Sequence, residues 1–267
     1  MFRIQRINRF SILALLLWGG LGQAALHDRG NGLIYDDVLD VTWLQDANLA
    51  ATETFGVSGV GSDGSFSVCD TGTVWINAMN AANYKGFNDW RLPEGGPVNG
   101  ATWNKQFSYD GSTDLGYNIS APGSAYPGTQ SHPLAHLFYQ SLGNQGWYDV
   151  NGNRNAPGCP DDANGCLRNT GSFVNLQPGI YLSYCWKDPL VLPPGGAVNI
   201  GFDFRSGQTS DNGDFQQPSP GFYVLPYRPG DVPGARAVPV LSPWFLGALG
   251  GLLLMLGGYR LRGGAFR

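Results

Sequence analysis

From Asp149 the chain reads Asp-Val-Asn-Gly-Asn-Arg-Asn, with side-chain oxygens at the first, third, fifth and seventh places. Alternating oxygens of this kind open a calcium loop and wrap a hard cation. Asp149, Asn151 and Asn153 are therefore candidate Ca2+ ligands. Arg154 stands at the sixth place, where a calcium loop needs Gly, and a Cys-Pro pair intervenes near the twelfth, where it needs Glu. An Asn/Gly-rich turn uses the same residues equally well, and both readings stand. Asp36, Asp37 and Asp40 form the alternative cation position, and Asp161 and Asp162 a weaker one. Just before the run come Trp147 and Tyr148, which with Trp186 are the candidate residues for stacking on a ligand. Their competing role is core.

Other chemistries are poorly provided for. His132 and His136 stand four apart, a spacing that lets two imidazoles share a helix face and a zinc ion. Pro133 occupies the place of a zinc-protease Glu and sets His132 at a helix start, so the pair reads as helix-terminal surface histidines. The Gly-x-Ser-x-Gly elbow of serine hydrolases and the Gly-x-x-x-x-Gly-Lys phosphate cradle are both missing from the chain.

The four cysteines are Cys69, Cys159, Cys166 and Cys185. An even number in an exported chain reads as disulfides, with three possible connectivities. Cys159 and Cys166 bracket a Pro-Asp-Asp-Ala-Asn-Gly loop that can close on itself, which leaves Cys69 with Cys185 as a long-range staple. Zinc is the competing use, but there is no Cys-x-x-Cys spacing.

Export is read from the ends. Arg3, Arg6 and Arg9 precede an apolar run from Phe10 to Leu21, and Gly22-Gln23-Ala24 offers small residues for cleavage, the pattern of a signal peptide over 1–24. Residues 238–259 carry no charge and, as a helix, reach about 33 Å, enough for a hydrocarbon core of about 30 Å. Arg260, Arg262 and Arg267 follow and favour the cytoplasmic side, which leaves the ectodomain on the periplasmic or extracellular side. Residues 236–267 are thus expected to be a C-terminal transmembrane anchor with an Arg-rich tail.

The ectodomain, 25–235, is acidic. Of the 16 Lys and Arg, three lie in the signal segment and four at or beyond the anchor (Arg236, Arg260, Arg262, Arg267), so nine face all 20 acids. A charge of about −11 repels nucleic acid and sulfated polymers.

The elements that would position these residues follow from periodicity. Leu33–Tyr35 and Val41–Leu44 flank an Asp-rich turn and predict a hairpin. Trp75, Ala78, Met79 and Ala82 predict a helix ending by Gly86, and Pro133 to Leu142 a second one closed by Gly143. Phe173-Val174, 180–186, 197–205 and 222–227 read as strands. Residues 51–70, 94–131 and 144–171 read as long loops. Two helices, strands at both ends and long loops describe an α+β domain.

Two resemblances add to this reading. The hairpin, a short helix and Asp89-Trp90-Arg91-Leu92-Pro93 resemble the Lcl C-terminal domain family. So do the Leu134–Leu142 helix, Tyr181-Leu182-Ser183 and the closing Tyr223-Val224-Leu225-Pro226-Tyr227-Arg228. The resemblance spans roughly 30–230. It implies a C-type-lectin-like fold with paired N- and C-terminal strands, a long-loop ligand face and a role in adhesion or polysaccharide binding. From the residues themselves, Trp90 and Leu92 are core, and Asp89 and Arg91 fix the turn. Formylglycine-generating-enzyme-like domains carry a similar Trp-Arg-Leu-Pro motif, and that alternative needs a reactive cysteine pair, for which only Cys185 is suitably placed. The tail from Val238-Pro239-Val240-Leu241-Ser242-Pro243-Trp244 is similar to the IPTL-CTERM type of PEP-CTERM-like sorting signals, which implies a sorting enzyme as a partner. It departs from them at Val240 (Thr in the family) and Pro243 (Glu). The expected function is an anchored surface module for a neutral saccharide or matrix polymer.

Overall fold

The computed structural model describes residues 26–67, 69–186, 198–211 and 221–232, with Trp186, Val198 and Asn199 in backbone only. The expected signal peptide over 1–24 and the expected anchor over 236–267 lie outside these residues. Among the described residues no helix is long and apolar enough to cross a membrane.

Among the described residues the architecture is α+β, with two sheets, two longer helices and short 3-10 turns. The first sheet contains β1 (Leu26–Gly30), β2 (Leu33–Asp36), β3 (Val41–Leu44) and, arriving from the far end of the chain, β9 (Tyr227–Pro229), in the order β1-β2-β3-β9. All its pairs are antiparallel. The expected hairpin is β2–β3, with Leu33 opposite Leu44 and Ile34 opposite Trp43. Its turn is set by Asp36, whose carboxylate accepts the N–H groups of Val38 and Leu39, and by Asp40 at a φ of 51°. The second sheet has the order β4-β5-β8-β7-β6: β4 (Phe107–Ser108), β5 (Leu115–Tyr117), β8 (Gln208–Asp211), β7 (Val198–Asp203) and β6 (Ile180–Trp186). Its one parallel pair is β4–β5.

Helix α1 (Cys69–Ala81) packs on β6. Its buried side is Cys69, Gly72, Trp75, Ile76 and Met79, spaced three and four apart as one helical face requires. At Gly72 an added methyl would stand 3.1 Å from Val224 and 3.3 Å from Leu182, so glycine lets the helix approach the sheet. The helix starts earlier than the apolar spacing suggests and stops at Ala81, because Asn83 at a φ of 51° takes the left-handed position expected of Gly86. Helix α2 begins at Pro133–His136 and continues as a π turn through Leu137–Ser141, closed by Gly143. Its Phe138 meets Phe202 and Phe204 edge-on or tilted at 5.2 and 5.6 Å. With Trp43, Phe66, Trp75 and Tyr181 these rings form a nearly water-free aromatic core.

Two expected strands do not form. Phe173-Val174 contributes a single bridge to Asp46. The 222–226 segment instead staples three neighbours. Phe222 exchanges backbone hydrogen bonds with Phe66. Tyr223 donates to Ile180 and accepts from Leu182 at the free edge of β6, and Pro226 accepts from Leu44. Changing partner at each step leaves no ladder until Tyr227 joins β3. Conversely β4, β5 and β8, in stretches of weak apolar pattern, do form.

The Trp-Arg-Leu-Pro segment lies against the same closing strand. Trp90 and Leu92 are buried, as expected. Asp89 and Arg91 act at long range rather than on their own turn. Asp89 takes a two-pronged ion pair from Arg228 at 2.9 and 3.0 Å, and Arg91 lies over the Tyr227 ring while exchanging backbone hydrogen bonds with it. The side chain of Asn80 on α1 donates to the Trp90 carbonyl and accepts its N–H, which fixes the segment to the helix.

All four cysteines are paired as expected, Cys69 with Cys185 (Cα–Cα 5.8 Å) and Cys159 with Cys166 (4.2 Å).

Candidate functional site

The Asp149 run folds back on itself. Asp149 Oδ1 accepts the N–H groups of Asn151 and Asn153 at 2.9 Å each, and Oδ2 accepts the Asn153 amide at 3.1 Å. These bonds, Asn153 first, hold its carboxyl below the usual range. Asp161 and Asp162 are each taken by an arginine, Arg154 and Arg168. At the alternative position Asp36 caps its turn and accepts the Ser141 hydroxyl, Asp40 accepts the Tyr35 hydroxyl, and Asp37 faces His27. The carboxylates at all three candidate positions are thus engaged in turn, hydroxyl or ion-pair contacts, and among the described residues no group of three or more His, Cys, Asp or Glu is placed to hold a metal.

The histidines are buried, not superficial. His132 Nε2 donates to Asp114 Oδ1 at 3.3 Å, and both side chains are almost inaccessible. His136 is 2% exposed, and its Nδ1 has no partner among the described residues. Burial pushes its pKa down, and the nearby Asp36 carboxylate offsets this only in part. A histidine that resists protonation in the folded state stabilises fully above its unfolded pKa of about 6.5, and that contribution falls away as pH drops below it towards the folded value. The melting temperature is thus expected to fall between pH 7.5 and 5, and His136→Asn to flatten that slope. An equal slope in the variant would place the acid sensitivity elsewhere.

The stacking candidates separate. Trp147 is partly buried against the core, and Arg154 lies over its ring at 5.3 Å while donating to the Trp147 and Cys159 carbonyls, so one face is already covered. Trp186 ends β6, and its side chain lies outside the described residues. Tyr148 lines a cleft of about 590 Å3 together with Asn118, Tyr139, Gln140, Gln145 and Asn155, and Asp149 stands at its side.

Tyr148 belongs to a ring cluster that sequence patterning did not bring together. It meets Tyr109 and Tyr117 at 5.1 Å each, Tyr109 stacks nearly parallel on Tyr117, and Phe107 abuts both. Phe107 and Tyr109 are exposed by 46% and 40%. Asn118, buried and left-handed (φ 60°), holds the platform: its amide donates to the Tyr109 carbonyl at 2.7 Å and to the Tyr148 carbonyl at 2.9 Å. Its own N–H donates to the Tyr139 hydroxyl, which donates to the Gly207 carbonyl. Gly152, at a φ of 77°, lies beneath the Tyr109 ring, where a methyl would approach to 3.1 Å.

The amides around the cleft are partly committed. Asn144 is saturated by the backbone of 168–169, and Asn155 by Gln145, Gly146 and Gly158. Gln140 donates to Ser120 and Gln145 accepts from Asn155. Among the described residues the Gln140 carbonyl and the Gln145 NH2 make no hydrogen bond, so one acceptor and one donor remain beside the rings. An apolar ring platform next to unspent amide groups can bind a molecule with apolar faces and hydroxyl edges. No family model, curated protein or solved structure matches the chain.

Proposed function

We propose that the chain is an exported, membrane-anchored surface module that binds a neutral saccharide or matrix polymer at the Tyr148 cleft. The observation that carries this reading is the ring platform, exposed at Phe107 and Tyr109 and half-buried at Tyr148, held by Asn118 beside a cleft in which the Gln140 carbonyl and the Gln145 NH2 are unspent among the described residues. Sugar rings offer C–H faces that stack on such rings and hydroxyls that pair with amides. The charge of about −11 directs the choice towards uncharged ligands. The signal and anchor patterns of the two ends support export and anchoring, and the tail supports a sorting enzyme as partner.

We likewise propose a C-type-lectin-like fold and kinship with the Lcl C-terminal domain family. They are supported by early and late strands paired in one sheet, two helices, long loops and the placement of Trp90-Arg91-Leu92-Pro93 against the closing strand. The formylglycine-generating alternative needs a reactive thiol, and both Cys185 and its would-be partners are in disulfides.

The test is a glycan array probed with the full chain in detergent, followed by titration of the best neutral hit. Tyr148→Ala is expected to weaken binding by about 2 kcal/mol, roughly thirtyfold, as loss of a central aromatic anchor does. Exclusive binding to sulfated glycans, or unchanged affinity in Tyr148→Ala, would remove the assignment.

A further inference from the structure

The exposed rings extend beyond the cleft. Among the described residues six large hydrophobic side chains are exposed, and three of them, Trp103, Phe107 and Tyr109, fall within seven positions. They form two groups. Phe107 and Tyr109 belong to the platform, whereas Trp103, 38% exposed, faces Tyr184 of β6 at 6.4 Å and sets its ring edge-on to His132 at 5.8 Å. Trp103 and Phe107 are four residues apart, so their Cα atoms lie within about 14 Å.

Trp103 is held in place by a costly device. Asp114, fully buried, accepts the N–H of Val98 at 2.7 Å through Oδ1 and that of Asn104 at 2.6 Å through Oδ2, and also holds His132. Val98 and Asn104 flank Trp103, so one buried carboxylate ties down both sides of the loop that displays it. A ring left in water and rigidly presented is the arrangement expected of a binding surface, since preorganisation lowers the entropy cost of association.

Resting on the saccharide reading above, we propose that the ligand is an extended neutral polysaccharide and that Trp103 with Tyr184 forms a second stacking subsite for the same chain. Two separated ring groups with polar residues between them (Asn104, Lys105, Gln106) match a polymer whose repeating rings alternate C–H faces and hydroxyl edges. A hydrophobic protein surface would favour one continuous patch instead. Asp110 and Asp149 next to the platform add to the acidic field that disfavours anionic chains.

Affinity electrophoresis of the full chain in detergent tests this, through gels containing hydroxyethylcellulose, galactomannan or heparin, alongside titration with cellobiose and cellohexaose or the matching mannan oligomers. A neutral polymer should retard the protein and heparin should not. The hexasaccharide should bind at least tenfold more tightly than the disaccharide. In Trp103→Ala that gain should shrink about tenfold, with Trp103→Phe restoring most of it, and the melting temperature should show that the exposed site is not needed for folding. Undiminished chain-length dependence in Trp103→Ala, with Tyr148→Ala still impaired, overturns the second subsite and leaves the cleft assignment standing. Absence of binding to every polymer and oligomer overturns both. Retardation by heparin overturns the neutral ligand. Self-association that needs Trp103, without polymer binding, assigns the rings to a protein partner instead.

Discussion

Replacing Cys69 and Cys185 together with alanine is expected to destabilise the protein by about 4–5 kcal/mol, since the bond joins positions 116 residues apart and a cross-link of that length restricts the unfolded chain by about this much. For a domain of roughly 200 residues that is a fall in melting temperature of about 10–20 °C. The small Cys159–Cys166 loop, with a separation of 7, is worth only about 2.5 kcal/mol by the same reasoning. The two double variants should therefore differ by about 2 kcal/mol, and thermal melting of the full chain without reductant measures both. Location adds to the contrast. Cys69 begins α1 and Cys185 lies near the end of β6, so their bond ties the helix to the edge of the second sheet. Equal losses in the two variants would mean that residual structure or strain, not loop closure, sets the effect.

The fold and the site were unequally legible in the sequence. The β2–β3 hairpin and both helices announce themselves through local patterns: β-prone runs around Asp36-Asp37, helical spacing at Trp75 and Met79, and Pro133 ahead of Leu134 and Leu137. The cysteine pairs were legible because one loop closes on itself and leaves the other pair. Long-range partners leave no such mark. Nothing in the local sequence tells that Asp89 faces Arg228, that Asn80 clamps Trp90, or that the 222–226 segment changes partner at every step. The histidines were misplaced because a polar residue at a helix start normally faces water, whereas here Asp114 and the core enclose them.

The site shows the same division. Tyr148 was visible as an aromatic beside a turn, and Asp149, Asn151 and Asn153 as an oxygen-rich run. What the run does, cap its own backbone, depends on which lone pairs are already engaged, and spacing does not reveal that. Tyr109, Tyr117 and Asn118 lie in a stretch of weak periodicity and are assembled by β4, β5 and a left-handed asparagine. An Asn that follows Leu-Gly-Tyr and bends the chain is the one local signal that marks them, and it carries no information about Tyr148 thirty residues later.

Asp114→Ala is expected to cost about 3–5 kcal/mol, the usual consequence of removing one partner from a buried charged network, and to cost ligand binding as well. Three donors lose their acceptor together: the N–H groups of Val98 and Asn104 and the ring of His132. Each buried donor left unpaired costs about 1–3 kcal/mol, and the exposed Asn104 side recovers part of that from water. The pH dependence separates this carboxylate from the rest. Burial pushes its pKa up, but the His132 hydrogen bond and those from Asn104 and Val98 outweigh burial and leave it below the ordinary value of 3.8. A carboxyl with a depressed folded pKa stabilises above its unfolded value, so its contribution is present at neutral pH and lost as pH falls below about 4. That window lies well under the one in which His136 acts, so urea unfolding at pH 7, 5 and 3 resolves the two. Asp114→Asn keeps the shape and one accepting oxygen but turns an amide NH2 towards a backbone N–H. Its stability at pH 7 should lie between wild type and Asp114→Ala, and the loss below pH 4 should diminish. Because the network flanks Trp103, both variants should also lose the chain-length gain in polymer binding at neutral pH. A stability loss below about 1 kcal/mol in Asp114→Ala would show that the loop does not depend on its buried carboxylate, and the rigid display of Trp103 would then need another cause.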